Sequence, residues 1–203
     1  MVLIGYSGHA FVVYGIFKSA GTQVTAYCDA AEKKYNPYNL AYIGSEDDAI
    51  AALKNGFFIS IGDNNIRRKV YNKLAAQNLL PAIAIHKNAT IDESADVAVP
   101  GVMIAASATI NPLVQIGKGV ICNTSCSIDH ECIIGDFAHI APGAVLCGNV
   151  KVGENSFIGA GAVIKEGVTV GSNVMIGAGA VVIKNVPDNV KMVGNPVRLI
   201  AAK

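Results

Sequence analysis

Aliphatic residues recur at every sixth position through the second half of the chain. The first residue of each six-residue block is aliphatic in all blocks except one, and the series is Ile104, Ile110, Ile116, Cys122, Ile128, Ile134, Ile140, Leu146, Val152, Ile158, Ile164, Val170, Ile176 and Val182. A second series, four residues later in each block, is small or branched and runs from Ala108 to Val186. No α-helix has a period of six, whereas a chain that turns a corner every six residues places the same position inside at each turn. The pattern therefore predicts a parallel β-helix with triangular coils, each made of three blocks.

The same spacing extends upstream, but with a shift of phase. Ile85, Ile91 and Val97 keep the six-residue step, yet they are one residue out of register with Ile104. We therefore expect the solenoid to begin near Ile85 and to carry a one-residue insertion between Val97 and Ile104. Glycine often follows the aliphatic position, and we expect these glycines to supply backbone conformations that are costly for other residues.

The first eighty residues alternate between short apolar runs and amphipathic segments. We predict strands at residues 2–5, 24–27, 57–61 and 82–85, the last of which completes the alternation. The first predicted helix has Val12, Val13, Ile16 and Phe17 on one face, and the last has Ile66, Val70 and Leu74. Strands that alternate with helices are typical of a parallel α/β sheet. We therefore predict a Rossmann-like α/β domain over residues 1–82 and a β-helix domain over residues 83–203.

Composition excludes several classes of protein. The net charge is +1, with basic residues scattered along the chain, so there is no electrostatic footprint for nucleic acid. Apolar residues make up 52% of the chain, but glycine or polar residues break every run, so we expect no membrane span. Nothing basic precedes the first apolar stretch, which argues against a signal peptide and favours a cytoplasmic protein.

The positions of the cysteines indicate a structural role, and not a role as nucleophiles or metal ligands. Cys122, Cys126 and Cys132 fall on inward positions of the predicted coils, where a thiol behaves as a small hydrophobic group. No repeated CxxC pair indicates zinc, and nothing indicates a secretory context for disulfides. We expect no metal cofactor, and no cysteine nucleophile that faces a substrate.

Glycine and polar residues cluster where the first strands end. Gly5, Ser7, Gly8, Asp29 and Gly62 all follow predicted strands, at the edge where parallel sheets bind ligands. The turn lacks the glycines of a GxGxxG fingerprint, so we do not expect NAD. These residues alone leave two interpretations open, a ligand site or simple strand-to-helix turns.

Two histidines are predicted on the outside of one coil. His130 and Glu131 fall at a corner, and His139 lies between the inward positions Ala138 and Ile140, so strand alternation points its side chain outward. We expect both imidazoles to be exposed. Nine residues of bent path, at about 3.3 Å each, place the two histidines roughly 15 to 20 Å apart in one chain. One site that uses both therefore requires two copies of the chain, as in a cyclic trimer.

At this point the sequence resembles a known family. It is similar to the left-handed β-helix acyltransferases with hexapeptide repeats, and within them to the nucleotide-amino-sugar N-acetyltransferases typified by PglD and NeuD. The resemblance covers nearly the whole chain and is carried by residues 5–10 (GYSGHA), 61–64 (IGDN), 128–139 (IDHECIIGDFAH), 148–153 (GNVKVG) and 193–198 (VGNPVR).

The resemblance implies a left-handed β-helix, a homotrimer with active sites between subunits, and acetyl transfer from acetyl-CoA to a UDP-linked 4-amino sugar. In it His130 is the general base and Glu131 polarises its ring. The acetyl-CoA contacts are His139, Gly148, Ala160 and Ala178. The contacts to the sugar nucleotide are Ser7, Gly8, His9, Asp29, Gly62 and Asn123. Ala30 stands where the family often has a second acidic residue.

Three other functions compete with this interpretation. A carbonic anhydrase on the same solenoid needs three histidines at one zinc ion, and His86 lies more than two coils from His130. An O-acetyltransferase of sialic acid or a related sugar could use the same base and the same acetyl donor. A non-catalytic protein that binds sugar nucleotides would not need His130 and Glu131 at one corner.

Overall fold

The computed structural model describes residues 1–97 and 99–200. The chain begins with a four-stranded parallel sheet in the order β3-β2-β1-β4, with helices between its strands. Its elements are β1 (Val2–Ile4), α1 (Gly8–Ser19), β2 (Ala26–Cys28), β3 (Ala41–Tyr42), α2 (Ile50–Leu53), β4 (Phe57–Ile59) and α3 (Asn64–Ala75). The α/β organisation predicted for this part of the chain is confirmed.

A parallel β-helix follows, as the six-residue period predicts. Its strands are β5 (Ala84–Ile85), β6 (Thr90–Ile91), β7 (Met103–Ile104), β8 (Thr109–Ile110), β9 (Gln115–Ile116), β10 (Ile121–Cys122), β11 (Ser127–Ile128), β12 (Ile133–Ile134), β13 (His139–Ile140), β14 (Val145–Leu146), β15 (Lys151–Val152), β16 (Phe157–Ile158), β17 (Val163–Ile164), β18 (Thr169–Val170), β19 (Met175–Ile176), β20 (Val181–Val182), β21 (Lys191–Val193) and β22 (Arg198–Ile200).

The short strands stack into three faces of a prism. The first face contains β5, β7, β10, β13, β16, β19 and β21 in parallel, with β22 added antiparallel at the end. The second face contains β6, β8, β11, β14, β17 and β20, and the third contains β9, β12, β15 and β18. We call the turn from the first face to the second the first corner, the turn from the second to the third the second corner, and the turn from the third to the first the third corner.

The pairing register shows the predicted insertion. Ala84 pairs with Met103, nineteen residues on, whereas Met103 pairs with Ile121, eighteen residues on. The extra residue lies in the first coil, between Val97 and Ile104. Both inward series of the hexapeptide pattern are buried and form one continuous core along the prism.

The glycines that follow the inward aliphatic residues are required for a different reason from the one expected. Gly135 and Gly153 do not have left-handed backbones. A Cβ atom on Gly153 would lie 2.5 Å from the carbonyl carbon of Gly171 in the next coil, and one on Gly135 would lie 2.7 Å from the nitrogen of Glu154. Close stacking of coils, and not the φ angle, therefore excludes a side chain at these positions.

The N-terminal domain packs on the start of the first face. Helix α1 buries Ala10, Val13, Ile16 and Phe17 in a cluster that includes Met103 and Ile121 of the prism. One detail of the predicted α/β pattern was wrong, because β5 joins the prism instead of the N-terminal sheet. Val12 and Ile66 lie on the predicted helices, but Val12 is 39% exposed and Ile66 is 54% exposed. This packing brings the ends of the N-terminal strands close to the first face and the third corner.

Candidate active site

His130 lies at the second corner, between β11 and β12. Its ring Nδ1 is 3.0 Å from Glu131 Oε2, and the side chain is 51% exposed. Asp129 Oδ1 accepts a hydrogen bond from the backbone N–H of His130 at 2.8 Å, which fixes the start of the turn. Because a carboxylate can only accept, Nδ1 carries a proton and points to Glu131. The corner therefore fixes the orientation of the ring, with Nε2 on the side away from the carboxylate.

Gly148 lies directly beside this ring, one coil further along the same corner. A Cβ atom at Gly148 would be 2.5 Å from both Cε1 and Nε2 of His130. Only a residue without a side chain allows the ring to take this position. The Cε1–Nε2 edge of His130 and the Gly148 backbone thus lie side by side at the second corner.

His139 lies on β13, and its environment differs from the one expected. It points away from the prism, as strand alternation predicts, but the expected exposure was wrong, since only 7% of the residue is accessible. The N-terminal domain covers it. Its Nδ1 is 3.4 Å from the carbonyl oxygen of Gly62, and the ring of His9 is 6.1 Å away, centroid to centroid. Phe157, the next residue on the first face, packs edge-on against the ring at 4.9 Å.

The hydrogen bonds around His139 fix its tautomer. The backbone N–H of Thr124 donates to Asn123 Oδ1 at 2.8 Å, so the amide nitrogen of Asn123 faces the histidine. That nitrogen is 3.1 Å from His139 Nε2, which must therefore accept. The carbonyl of Gly62 on the other side can only accept, so the proton is on Nδ1. Asn123 thus contacts His139 within the same chain.

Burial and a nearby cation keep this cluster neutral. Loss of solvent, followed by the charge of Arg67 and by His9, lowers the pKa of His139 to about 3. Burial and Arg67 lower the pKa of His9 to about 4. His9 Nε2 is also buried with no hydrogen-bond partner among the described residues. Both rings are therefore uncharged at neutral pH.

The predicted ligand loop lies at the carboxyl ends of β1, β2 and β4. A cavity of about 350 Å³ opens there, and it is lined by Ile4, Gly5, Asp29, Ala30, Glu46, Ile61, Ile66, Lys69, Val70 and Lys73. Ser7 and Gly8 are exposed at the start of α1, where Ser7 makes no side-chain cap hydrogen bond. Gly5 has a φ of +84°, and a Cβ there would be 2.5 Å from Ile61, so a glycine is needed at this crossing.

Asp29 organises the loop beside this cavity. Its Oδ2 accepts from the Tyr6 N–H at 2.9 Å, and its Oδ1 accepts from the Ala30 N–H at 2.8 Å and pairs with Lys33 at 2.9 Å. Burial raises the pKa of Asp29, but the hydrogen bonds from Lys33, Tyr6 and Ala30 outweigh it, so the pKa is lowered. The carboxylate is charged and already holds three donors.

The predicted site residues form separate groups in one chain. His130, Glu131 and Gly148 meet at the second corner, whereas His139, Asn123, His9 and Gly62 meet beneath the N-terminal domain. Ala160 and Ala178 are exposed on successive coils of the first corner. A second cavity, of about 530 Å³, lies between residues 62–65 and the first face, and its walls include Asn155, Phe157, Asn173, Met175 and Lys191.

The two parts of the chain match two described families. Residues 1–74 match the PglD N-terminal domain, and residues 149–184 match the bacterial transferase hexapeptide family, with its six repeats. A crystal structure of a variant of perosamine N-acetyltransferase from Caulobacter crescentus, in complex with CoA and GDP-perosamine, is 34% identical, with a TM-score of 0.93. The match covers 99% of this chain and 96% of that one. The chain belongs to the sugar N-acetyltransferases of this β-helix family.

Other relatives support the same family. The acetyltransferase domain of PglB from Neisseria gonorrhoeae, in complex with acetyl coenzyme A, is 32% identical over 98% of both chains, with a TM-score of 0.89. GDP-perosamine N-acetyltransferase from Escherichia coli O157:H7 is 34% identical over 103 residues, which are 51% of this chain and 46% of that protein. The chain thus aligns with about half the length of this curated relative.

Within residues 1–97 and 99–200, no group of three or more histidine, cysteine or acidic side chains is arranged to hold a metal ion. No helix in this part of the chain has the length and apolar character to cross a bilayer.

The sequence assigned no role to Arg67, Asn64 or Phe157. Arg67 follows Asn64 at three residues and precedes Val70 at three, a helical spacing that is consistent with burial, but nothing in the sequence shows what it contacts.

Proposed function

We propose that this protein transfers an acetyl group from acetyl-CoA to the amine of a nucleotide-linked sugar, with His130 as the general base. The observation that carries the proposal is the second corner. There Glu131 Oε2 lies 3.0 Å from His130 Nδ1, and the ring packs with Nε2 over Gly148 in a side chain that is 51% exposed. A positioned imidazole of this kind typically accelerates proton transfer by about 10² to 10⁴-fold.

The reaction follows from that geometry. The neutral amine nitrogen attacks the thioester carbonyl while His130 Nε2 accepts its proton, so an N–C bond forms as the carbonyl becomes tetrahedral. Glu131 stabilises the imidazolium that results. When the intermediate collapses, the C–S bond breaks and His130 returns the proton to the CoA sulfur. The Gly148 N–H is a candidate donor to the developing oxyanion.

Direct attack fits the cysteines better than an acyl-enzyme does. Cys122, Cys126 and Cys132 are buried inside the prism, and the Cys132 thiol donates to the Cys147 carbonyl at 3.2 Å. Burial raises the pKa of Cys132 to about 11, so the thiol stays protonated. No activated thiolate faces the His130 surface from these positions.

A trimer would complete the site. His130 and His139 lie in different neighbourhoods of one chain, so a site that uses both would need a neighbouring copy to place its His139 cluster near His130. Outward valines on the second face support such an interface, since Val145, Val163 and Val181 stack on consecutive coils. In this arrangement acetyl-CoA would lie between copies, against Gly148 of one chain and against Ala160, Ala178 and the small accessible edge of the His139 ring of the next.

The acceptor would bind at the carboxyl ends of the N-terminal strands. The cavity beside Gly5 and Asp29 is lined by Lys69, which can receive a phosphate, and by Lys73, whose ammonium group pairs with Glu46 at 3.0 Å and with Asp47 at 2.6 Å. The Ser7–Gly8 turn leads to His9, which lies beside Gly62. The sequence predicts a uridine nucleotide, and this stays a prediction. The complexes of the relatives with GDP-perosamine favour a guanosine nucleotide as the first alternative. A cytoplasmic location also stays a prediction.

The test is an acetyl-transfer assay with purified protein, acetyl-CoA and a panel of acceptors. GDP-perosamine and UDP-, dTDP- and GDP-linked 4-amino sugars are compared with free sialic acid, and release of CoA is measured together with the mass of the product. We expect N-acetylation of a nucleotide-linked amino sugar. Transfer to the hydroxyl of free sialic acid alone would support the O-acetyltransferase. CoA binding without transfer to any acceptor, or no CoA binding by calorimetry, would leave only a binding protein.

A further inference from the structure

Arg67 is a buried arginine that pairs with no carboxylate among the ion pairs of the described residues. It lies on α3 and only 1% of it is exposed. Its five N–H groups instead donate to oxygens of neutral groups. The acceptors are Gly119 O at 2.8 Å, Ile61 O at 3.2 Å, Gly62 O at 3.1 Å, Asn64 Oδ1 at 2.9 Å and Phe137 O at 2.7 Å. A guanidinium has five such donors in fixed directions, so this side chain is completely satisfied.

These contacts connect two parts of the proposed site. Gly119 and Phe137 are at the third corner of the prism, whereas Ile61 and Gly62 follow β4 of the N-terminal sheet. Asn64 strengthens the connection, because its amide donates to the carbonyls of Asn155 and Ser156. The strand end that borders the nucleotide cavity is therefore held against the face that bears His139.

The Gly62 carbonyl is the point at which Arg67 and His139 meet. It accepts from Arg67 Nη1 at 3.1 Å and faces His139 Nδ1 at 3.4 Å. If Arg67 did not hold it, this peptide could rotate and His139 would lose the acceptor that selects its Nδ1–H tautomer. Asn123 holds the other ring nitrogen, and its amide is oriented by the backbone N–H of Thr124 at 2.8 Å and by the Thr124 hydroxyl at 3.4 Å, so the Gly62 carbonyl is the partner of His139 that depends on Arg67.

We propose that Arg67 is a positioning residue for the acetyl donor, because it holds the Gly62 carbonyl that fixes His139 in one neutral tautomer. The proposal rests on the proposed function, in which His139 contacts the thioester end of acetyl-CoA. Arg67 contacts neither substrate. It acts on the donor site through Gly62, and on the acceptor side through the strand end at Ile61.

The surrounding charges agree with this role. The groups that face His139 are His9 from α1, Arg67 from α3, and Asn123 and Phe157 from the prism. The only permanent charge among them is that of Arg67, and together with burial it lowers the pKa of both histidines. Burial lowers the pKa of Arg67 to about 10, and the carboxylate of Asp63, at the start of α3, partly opposes this shift. The guanidinium therefore remains charged at neutral pH.

The experiment compares Arg67→Lys with Arg68→Lys. Arg68 is the next residue on α3 and also reaches the prism, through Glu154 at 3.3 Å, but it does not touch Gly62. Nitrogen-15 NMR of the histidine rings, at a temperature where each variant is folded by circular dichroism, reports the tautomer of His139. We expect Nδ1–H in the wild type and in Arg68→Lys, and a mixture of tautomers in Arg67→Lys. We also expect kcat with saturating acetyl-CoA to fall about tenfold or more in Arg67→Lys only, as misplacement of a reacting group predicts.

The outcomes separate this proposal from the function on which it rests. A wild-type His139 that carries its proton on Nε2 or is charged at neutral pH would overturn it, and that measurement needs no variant. So would an unchanged His139 spectrum in folded Arg67→Lys, whatever its activity. If instead the spectrum changes as expected but the wild type acetylates no sugar, the link from Arg67 to His139 stands and the proposed function fails.

Discussion

The two neighbourhoods around His130 and His139 differ although both histidines point away from the same prism. At the second corner the His130 side chain is half exposed and has one carboxylate partner, Glu131. On the first face His139 is buried by the N-terminal domain, and both of its nitrogens face protein groups. The direction of a side chain on a coil therefore does not determine its exposure, because the domain packed outside the coil decides which imidazole reaches solvent.

The largest effect should come from the exposed neighbourhood. We expect His130→Ala to lower kcat by about 10² or more, since a positioned base contributes that much, with no change in the thermal midpoint. Glu166→Ala is a matched control, because Glu166 is exposed on the same corner two coils further along. Steady-state kinetics and thermal unfolding measure both variants. Wild-type turnover in His130→Ala would remove the proposed mechanism.

Gly148→Ala should disturb the same corner without removing any functional group. The new Cβ would lie 2.5 Å from two atoms of the His130 ring, so the ring has to move away from the thioester. We expect kcat to fall by about tenfold to a hundredfold while acetyl-CoA binding, measured by calorimetry, changes less. Gly15→Ala on α1 is the control, since a Cβ there meets nothing within 4 Å. Equal kinetics for the two variants would show that the position of the ring is unimportant.

The buried neighbourhood should appear in the pH dependence of stability. The folded-state pKa values of His9 and His139 are about 4 and about 3, below the ordinary value of 6.5, so the unfolded chain binds protons first on acidification. Their contribution is complete above about pH 6.5 and is lost as pH falls, toward about 4 for His9 and toward about 3 for His139. Each histidine should lower the free energy of unfolding by roughly 1.4 kcal/mol per pH unit in that window.

Urea unfolding at several pH values measures this slope, and His139→Asn provides the comparison. That variant should keep the contribution of His9 and lose the contribution of His139, so its slope should be shallower by roughly 1.4 kcal/mol per pH unit. The absolute stability of the variant is irrelevant to the comparison. An identical slope would mean that His139 is accessible to protons in the folded chain.

The smallest effect is expected at Cys147, the one half-buried cysteine, which precedes Gly148. Direct attack does not use a thiol, so Cys147→Ala should change kcat by less than about twofold. Mass spectrometry of the wild type mixed with acetyl-CoA alone should show no acetylated protein. A large loss of activity, together with an acetyl adduct on the wild type, would instead indicate a covalent intermediate.

The regular and irregular parts of the molecule were predictable to different degrees. The prism followed from the sequence because each coil repeats the same inward positions, and even the insertion before Ile104 appeared as a change of phase. The exposure of Val12 and Ile66 did not follow, since a helix shows which residues share a face but not how wide the buried stripe is. The contacts of Arg67 could not be predicted either, because they join backbone carbonyls that are distant in sequence and have no side-chain signature.

The regular coil sets the spacing of the predicted site residues. Gly148 lies one coil after His130 at the second corner, and Ala178 lies one coil after Ala160 at the first corner. Each coil adds about 4.8 Å along the prism, so equivalent positions on one corner are spaced at regular intervals of that length. An elongated ligand bound along a corner would meet equivalent residues at multiples of this spacing. Loss or gain of one complete coil would preserve the interior packing but would shift every later residue along the prism axis by one coil spacing. The number of coils therefore determines how long a ligand the corner can accommodate.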